Sequence, residues 1–225
     1  MPRGNLAQSV LAVAVALLQL TATHCAAQEA RQDHTCTVDA AGILAIPEGS
    51  DGQNFDRAGW GFQAGGGFAV TPPPRLGSGW QWYVTSNYLY DRFKANAHAL
   101  ALAVAANPQL QNATAAHGDF SSVTLDVNPR LEFRGRYSVY AIGGFGWLRR
   151  GVNFNGANPG TLLQSSGPSL DRLSSNSGVF DLGVGINTKP RIFHGLMLFG
   201  EVRVYRGLAV NNGSTLVPIS LGVRW

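Results

Sequence analysis

The stretch from Trp80 to Asp91 narrows the folding choices more than any other part of the chain. Trp80, Trp82, Val84, Ser86, Tyr88 and Tyr90 fall on one parity, and Gln81, Tyr83, Thr85, Asn87, Leu89 and Asp91 on the other. A period of two sends the two sets to opposite faces of a strand. One face carries an aromatic pair at each end, Trp80/Trp82 and Tyr88/Tyr90. At about 3.3 Å per residue and a tilt near 40°, the rise from Trp80 to Tyr90 is roughly 25 Å, the height of a lipid-facing band. The spacing recurs from Tyr137 through Val139, Ala141, Gly143 and Phe145 to Trp147. A soluble sandwich has no reason to set rings at both ends of its strands at bilayer separation.

Alternation marks further strands. Trp60, Phe62, Ala64, Gly66, Phe68 and Val70 share one face, and the opposite face, Gly61, Gln63, Gly65, Gly67 and Ala69, is mostly glycine, which suits a narrow lumen. Val123 to Phe133 sorts into an apolar face and a charged one containing Asp126, Arg130 and Glu132. Phe180 to Asn187, Leu196 to Tyr205 and Leu216 to Trp225 repeat the pattern. Short connections (Thr71 to Gly79, Arg134 to Arg136, Thr188 to His194) alternate with longer ones (Lys94 to Asp119, Arg149 to Asn176, Gly207 to Ser214). That asymmetry predicts an up-and-down barrel with its long loops on one side. Even parity requires an eighth strand, for which the weakly patterned region from Ala40 to Pro47 is the candidate.

The N-terminus reads as a secretory signal peptide over 1–27, with Arg3, an apolar core from Val10 to Leu20 and the small-residue exit Cys25-Ala26-Ala27. Ala22-Thr23-His24 makes a poor lipidation box before Cys25. Cleavage after Ala27 leaves Cys36 alone, so a disulfide-held domain is excluded. No later stretch is apolar for the ~18 residues a membrane helix needs, so a membrane location requires a barrel. The net charge of +4 comes from scattered arginines, which implies no nucleic-acid partner. The expected organisation is a signal peptide, an N-terminal segment over 28–58 holding the first strand, and a barrel over 59–225.

Four motifs carry a family resemblance: Gly59 to Gly67, Tyr140 to Gly146, Phe199 to Tyr205 and Ser220 to Trp225. From Gly59 onward the chain resembles the eight-stranded OmpA-like outer-membrane barrels, without a periplasmic peptidoglycan-binding domain after the last strand. The resemblance implies an all-β, eight-stranded antiparallel up-and-down transmembrane barrel in a Gram-negative-type outer membrane. It also implies outer-membrane lipid as surroundings and recognition by the barrel-assembly machinery through the strand ending in Trp225, and the expected state is a monomer. The aromatic girdle would comprise Trp60, Trp80, Trp82, Tyr88, Tyr90, Tyr137, Phe145, Trp147 and Trp225. In similar barrels an inward Glu of the penultimate strand pairs with basic partners, and Glu201 matches that position.

The lumen of such a barrel is just wide enough for side chains to fill it. The inward set contains Asp91, Asp126, Arg130, Glu132, Asp181, Glu201, Arg203 and Arg224, which must be paired or hydrated. A polar plug is the expectation, with a narrow channel or porin-like pore as the alternative. A soluble lipocalin-like carrier, weakly echoed by Gly59-Trp60, would instead turn its apolar face inward. The chain lacks Gly-x-Ser-x-Gly, His-Glu-x-x-His, Walker and Gly-x-Gly-x-x-Gly motifs, and none of His34, His98, His117 or His194 heads a His-x-Ser. The reading is therefore non-enzymatic, without cofactor or metal, in envelope integrity or surface interaction. Lys94 to Ala106 is Ala-rich and predicts a short helix or a prolonged hairpin.

Overall fold

The computed structural model describes residues 36–71, 78–106, 115–133, 137–155, 175–188, 196–208 and 214–225. The expected signal peptide, the turn at 134–136 and most of the loop at 149–176 lie outside them. Eight strands form one closed barrel in sequence order: β1 (Cys36–Glu48), β2 (Gly59–Ala69), β3 (Ser78–Lys94), β4 (Ala115–Phe133), β5 (Tyr137–Asn155), β6 (Ser175–Thr188), β7 (Met197–Gly207) and β8 (Thr215–Arg224). Each pairs antiparallel with its neighbour in sequence, and β1 pairs with β8 to close the ring. Val38 and Trp225 exchange both backbone hydrogen bonds at the seam, 2.6 and 2.7 Å long. Closure leaves no strand edge unpaired, the condition for placing a sheet in hydrocarbon.

The eighth strand is longer than Ala40 to Pro47. Its outward positions Ala40 and Gly42 are small, which is why its alternation is faint in the sequence. Its inward positions Thr37, Asp39, Ala41, Ile43 and Ala45 are all buried.

Over the inner part of the barrel, the end holding the termini and short turns, the usual polarity of a protein is inverted. Phe145, Leu182, Leu221 and Trp225 are 69%, 65%, 71% and 75% exposed on the outside, whereas Asp126, Arg203 and Arg224 are at most 1% exposed within. Toward the long-loop end the polarity reverses. Leu89, Phe93, Phe120, Leu148 and Val152 turn inward and are buried, while Arg92, Lys94 and Arg149 are exposed outside.

The reversal runs in register. On β3, β4 and β5, Tyr88, Val123 and Trp147 lie side by side, and the next outward row is Tyr90, Ser121 and Arg149; on β2 the exposed Phe62 and Trp60 carry the apolar face one and two rows further. Beyond the Tyr88 row, β3, β4 and β5 continue as a water-facing wall around an apolar core. This corrects the expected loop bounds: Lys94 is still in β3, and residues 115–119 and 149–155 are strand rather than loop.

Two helices belong to the long-loop end, α1 (Ser50–Asn54) and α2 (Ala97–Ala106). Alanine-rich sequence favours α2. Asn96 caps it, its Oδ1 accepting from the backbone N–H groups of His98 and Ala99 at 3.0 and 3.1 Å. Ala99 and Ala103, one turn apart, are fully buried, with Leu100 and Val104 packed beside them.

Candidate functional site: the lumen and its outer closure

The lumen has three tiers. At the outer tier the segment after β1 folds across the barrel and is stitched to the β3–β4 connection. Asp56 N–H donates to Lys94 C=O at 2.8 Å, Asn96 N–H to Asn54 C=O at 3.0 Å, and Asn96 Nδ2 to Gln53 C=O at 2.6 Å. Phe55 enters between Phe93 and Phe120, with ring centroids 6.1 and 5.4 Å away, the second edge to face. Gly118 makes room for it, because a Cβ there would strike the Phe55 ring.

Beside this aromatic cluster, Asp51 of α1 forms a fully buried ion pair with Arg150 of β5, and Arg150 Nη1 also donates to Ser214 Oγ at 3.1 Å. Burial pushes the Asp51 carboxyl above its ordinary value, against the opposing pull of the Arg150 charge. Ile43, Ala45, Leu89, Leu148, Val179, Tyr205 and Leu216 complete the apolar layer under the helices.

The middle tier is organised by Arg203 of β7. Its Nε donates to Glu201, and its Nη1 lies 2.9 Å from Asp126 Oδ2, 3.1 Å from Asp181 Oδ2 and 3.3 Å from the Tyr205 hydroxyl. Three strands, β4, β6 and β7, thus converge on one guanidinium. Asp126 also accepts from Asn87 Nδ2 and from Thr124 Oγ1 at 3.2 Å. Glu201 accepts from the Tyr140 hydroxyl at 2.8 Å and from Gln63 Nε2 at 3.4 Å, and Ser220 Oγ donates to Gln63 Oε1 at 2.9 Å. Gly185 is required beside this network, since a Cβ there would come within 2.8 Å of Tyr140 Cε2.

At the inner tier Arg224 pairs with Asp39 at 3.3 Å and donates from Nη1 to Asn187 Oδ1 at 2.7 Å. Its guanidinium lies over the rings of Phe199 and Tyr140, 4.5 and 5.1 Å from their centroids. Arg130 stacks on Tyr83 at 3.7 Å and faces the other neighbour of Arg224, Tyr140, at 5.8 Å.

Of the inward residues expected from sequence, the structure brings Asp126, Asp181, Glu201 and Arg203 into one network and links Arg224 to it through Tyr140. Arg130 is buried in the tier below, and Asp91 lies outward of the network, next to the apolar layer. The Glu132 side chain lies outside the described residues. The expected girdle residues Trp60, Trp80, Trp82, Tyr137, Phe145, Trp147 and Trp225 are exposed on the outer face. Tyr88 and Tyr90 are half-buried there, packed on Phe62 at 5.9 and 5.6 Å, and the Tyr90 hydroxyl donates to Asp119 at 2.8 Å.

Sequence reasoning missed Asp39, Asp51, Arg150 and Phe55. Asp39 was legible as an inward residue once β1 was placed, because it shares parity with Ala41 and Ile43. Asp51 and Phe55 lie in a Gly/Asp/Asn-rich segment that carries no periodic signal, and nothing local pointed to Arg150 as their neighbour.

No family model and no curated protein matches this chain. Among solved structures it is similar to Ail, the attachment invasion locus protein of Yersinia pestis, at 12% identity and TM-score 0.48, over 86% of this chain and 100% of that one. Neisserial surface protein A is similar at 14% identity and TM-score 0.48, over 84% and 95%. The N-terminal β-barrel domain of Pseudomonas aeruginosa OprF is similar at 12% identity and TM-score 0.42, over 86% and 100%. These are likenesses of fold, and the fold of this chain is the closed, eight-stranded, antiparallel up-and-down barrel.

Proposed function

We propose that the chain is an integral outer-membrane barrel with a sealed lumen, acting without catalysis in the envelope and offering its outer end to surface partners. The observation that carries the reading is the inverted polarity of the inner barrel, with rings and aliphatic side chains outside and an ionic network inside. Exposing that outer face to water would be unfavourable by about 25 cal/mol for each Å² of apolar surface, so hydrocarbon is its natural surroundings. On β3, β4 and β5 the register line from Tyr88 to Trp147 then lies near the upper edge of the lipid, with Arg92, Lys94 and Arg149 beyond it in water.

Two features support a sealed barrel over a pore. The guanidinium of Arg203 and its three carboxylates fill the middle of a narrow lumen. Above it, Phe55, Phe93 and Phe120 stack under α1 and α2. In the membrane, assembly through the closing strand that ends at Trp225 and a monomeric state follow the same reading.

The test is fractionation of cells expressing the full chain, followed by planar-bilayer recording of the purified protein. Retention in the membrane after an alkaline carbonate wash, heat-modifiable gel mobility and conductance at background are the expected results. Release into the soluble fraction overturns the membrane reading, and steady single-channel conductance overturns the seal.

A further inference from the structure

Among the described residues, Arg130 is the buried arginine that forms no ion pair, unlike Arg150, Arg203 and Arg224. Its side chain is 1% exposed, and both Nε and Nη2 lack a hydrogen-bond partner. These two N–H groups form one edge of the guanidinium and point the same way, the arrangement that accepts two oxygens of one carboxylate or phosphate. Stacking on Tyr83 at 3.7 Å holds the guanidinium in place, and that edge is left without an acceptor.

The neighbours point to an anion as well. Asn128, two residues earlier on the same face and fully buried, has neither its amide nitrogen nor its amide oxygen bonded. Arg224 stands across the Tyr140 ring, and the carboxylate facing the two guanidiniums among the described residues is Asp39, already paired with Arg224. A buried guanidinium without a counter-charge is costly, and a buried donor edge without an acceptor adds to that cost.

We propose that Arg130, with Asn128 beside it and Arg224 across Tyr140, binds a small two-oxygen anion of the phosphate type. The site lies three residues from the inner end of β4, near the termini and short turns, and is reached from that end. It sits below the Arg203 network, so it does not depend on whether the outer mouth is sealed. Free phosphate and the phosphodiester of a lipid headgroup share the required chemistry.

The test uses the full mature chain refolded in a zwitterionic detergent, titrated at constant ionic strength with inorganic phosphate, with a soluble short-chain phosphatidylglycerol, or with chloride alone. The readouts are the thermal unfolding midpoint and the side-chain Nε–Hε resonance of Arg130. Phosphate is expected to raise the midpoint over chloride and to move that resonance saturably. Arg130→Lys, which keeps the charge and loses the paired edge, is expected to weaken the apparent affinity at least about tenfold, and Arg130→Gln to abolish the response. Asn128→Ala provides a milder variant, with weakened binding, should Arg130→Gln fail to fold. A response to phosphate alone identifies a free anion, and a response to the lipid alone identifies a headgroup. An unmoved Arg130 resonance in the wild-type chain with both, or a phosphate response that survives Arg130→Gln, overturns the site and leaves water as the occupant.

Discussion

Replacing Arg203 tests the sealed lumen most directly, because one side chain holds the middle tier together. Arg203→Met keeps much of the volume and removes the charge from three carboxylates that are themselves buried. The loss is not spread evenly. Asp126 retains Asn87 and Thr124, and Glu201 retains Tyr140 and Gln63. Asp181 loses the bond at 3.1 Å, and its other oxygen already lacks a partner. Breaking one side of a buried ion pair costs about 3–5 kcal/mol, equal to roughly two to nearly four orders of magnitude in the unfolding equilibrium. Against a typical stability of about 5–15 kcal/mol, that is more than half of the total at the low end and up to about a third at the high end.

Urea unfolding of the chain in lipid vesicles, followed by tryptophan fluorescence and by gel mobility, measures it. The companion variant Asp181→Asn should cost no more than about 1 kcal/mol, because Arg203 keeps two carboxylates. The double variant should recover part of the Arg203→Met loss, since the carboxylate left stranded is gone. A loss below about 1 kcal/mol for Arg203→Met would mean that the network is solvated like a surface ion pair. The lumen would then be a water-filled path, and the sealed reading would fail with it.

Three further outcomes follow from the same geometry. Phe55→Ala should cost about 3–5 kcal/mol in the outer tier, seen as faster hydrogen exchange through α1, while the inner strands keep their protection. In lipid vesicles Leu221→Arg, near mid-height of the outer band, should cost about 2–4 kcal/mol, whereas Leu198→Arg, near the inner rim, should cost about 0–1 kcal/mol. Equal costs would place the band elsewhere. Burial raises the folded-state value of Asp51 above its ordinary 3.8, so the outer tier should gain stability as pH falls through that raised value, with the gain complete below 3.8. The difference in unfolding midpoint between the wild type and Asp51→Asn across pH 3 to 7 isolates this contribution, and a difference that grows in the opposite sense removes it.

What the sequence disclosed and what it hid both come from the sign of the alternation. In β3 the inner half reads Trp80, Trp82 and Val84 outward against Gln81, Thr85 and Asn87 inward, and the outer half reads Arg92 and Lys94 outward against Leu89 and Phe93 inward. Period alone identifies a strand in either half, yet the apolar parity changes between them. A reader following one apolar parity loses the strand at the change, which is why β3, β4 and β5 were expected to end near Asp91, begin near Val123 and end near Trp147.

Those endpoints fall close together once the strands are paired: Tyr88, three residues before Asp91, lies opposite Val123, and Val123 opposite Trp147. A parity change at unrelated heights on three strands would reflect local packing. A change at neighbouring positions of three adjacent strands points to a common cause, and a boundary between hydrocarbon and water supplies it. The closure above that row was not legible, because Asp51 meets Arg150 and Phe55 meets Phe120 only after barrel closure brings a segment without periodicity across the mouth. The inner lumen was legible as a set of inward charges but not as partners, since the pairing of Arg203 with Asp126 joins strands 77 residues apart in sequence.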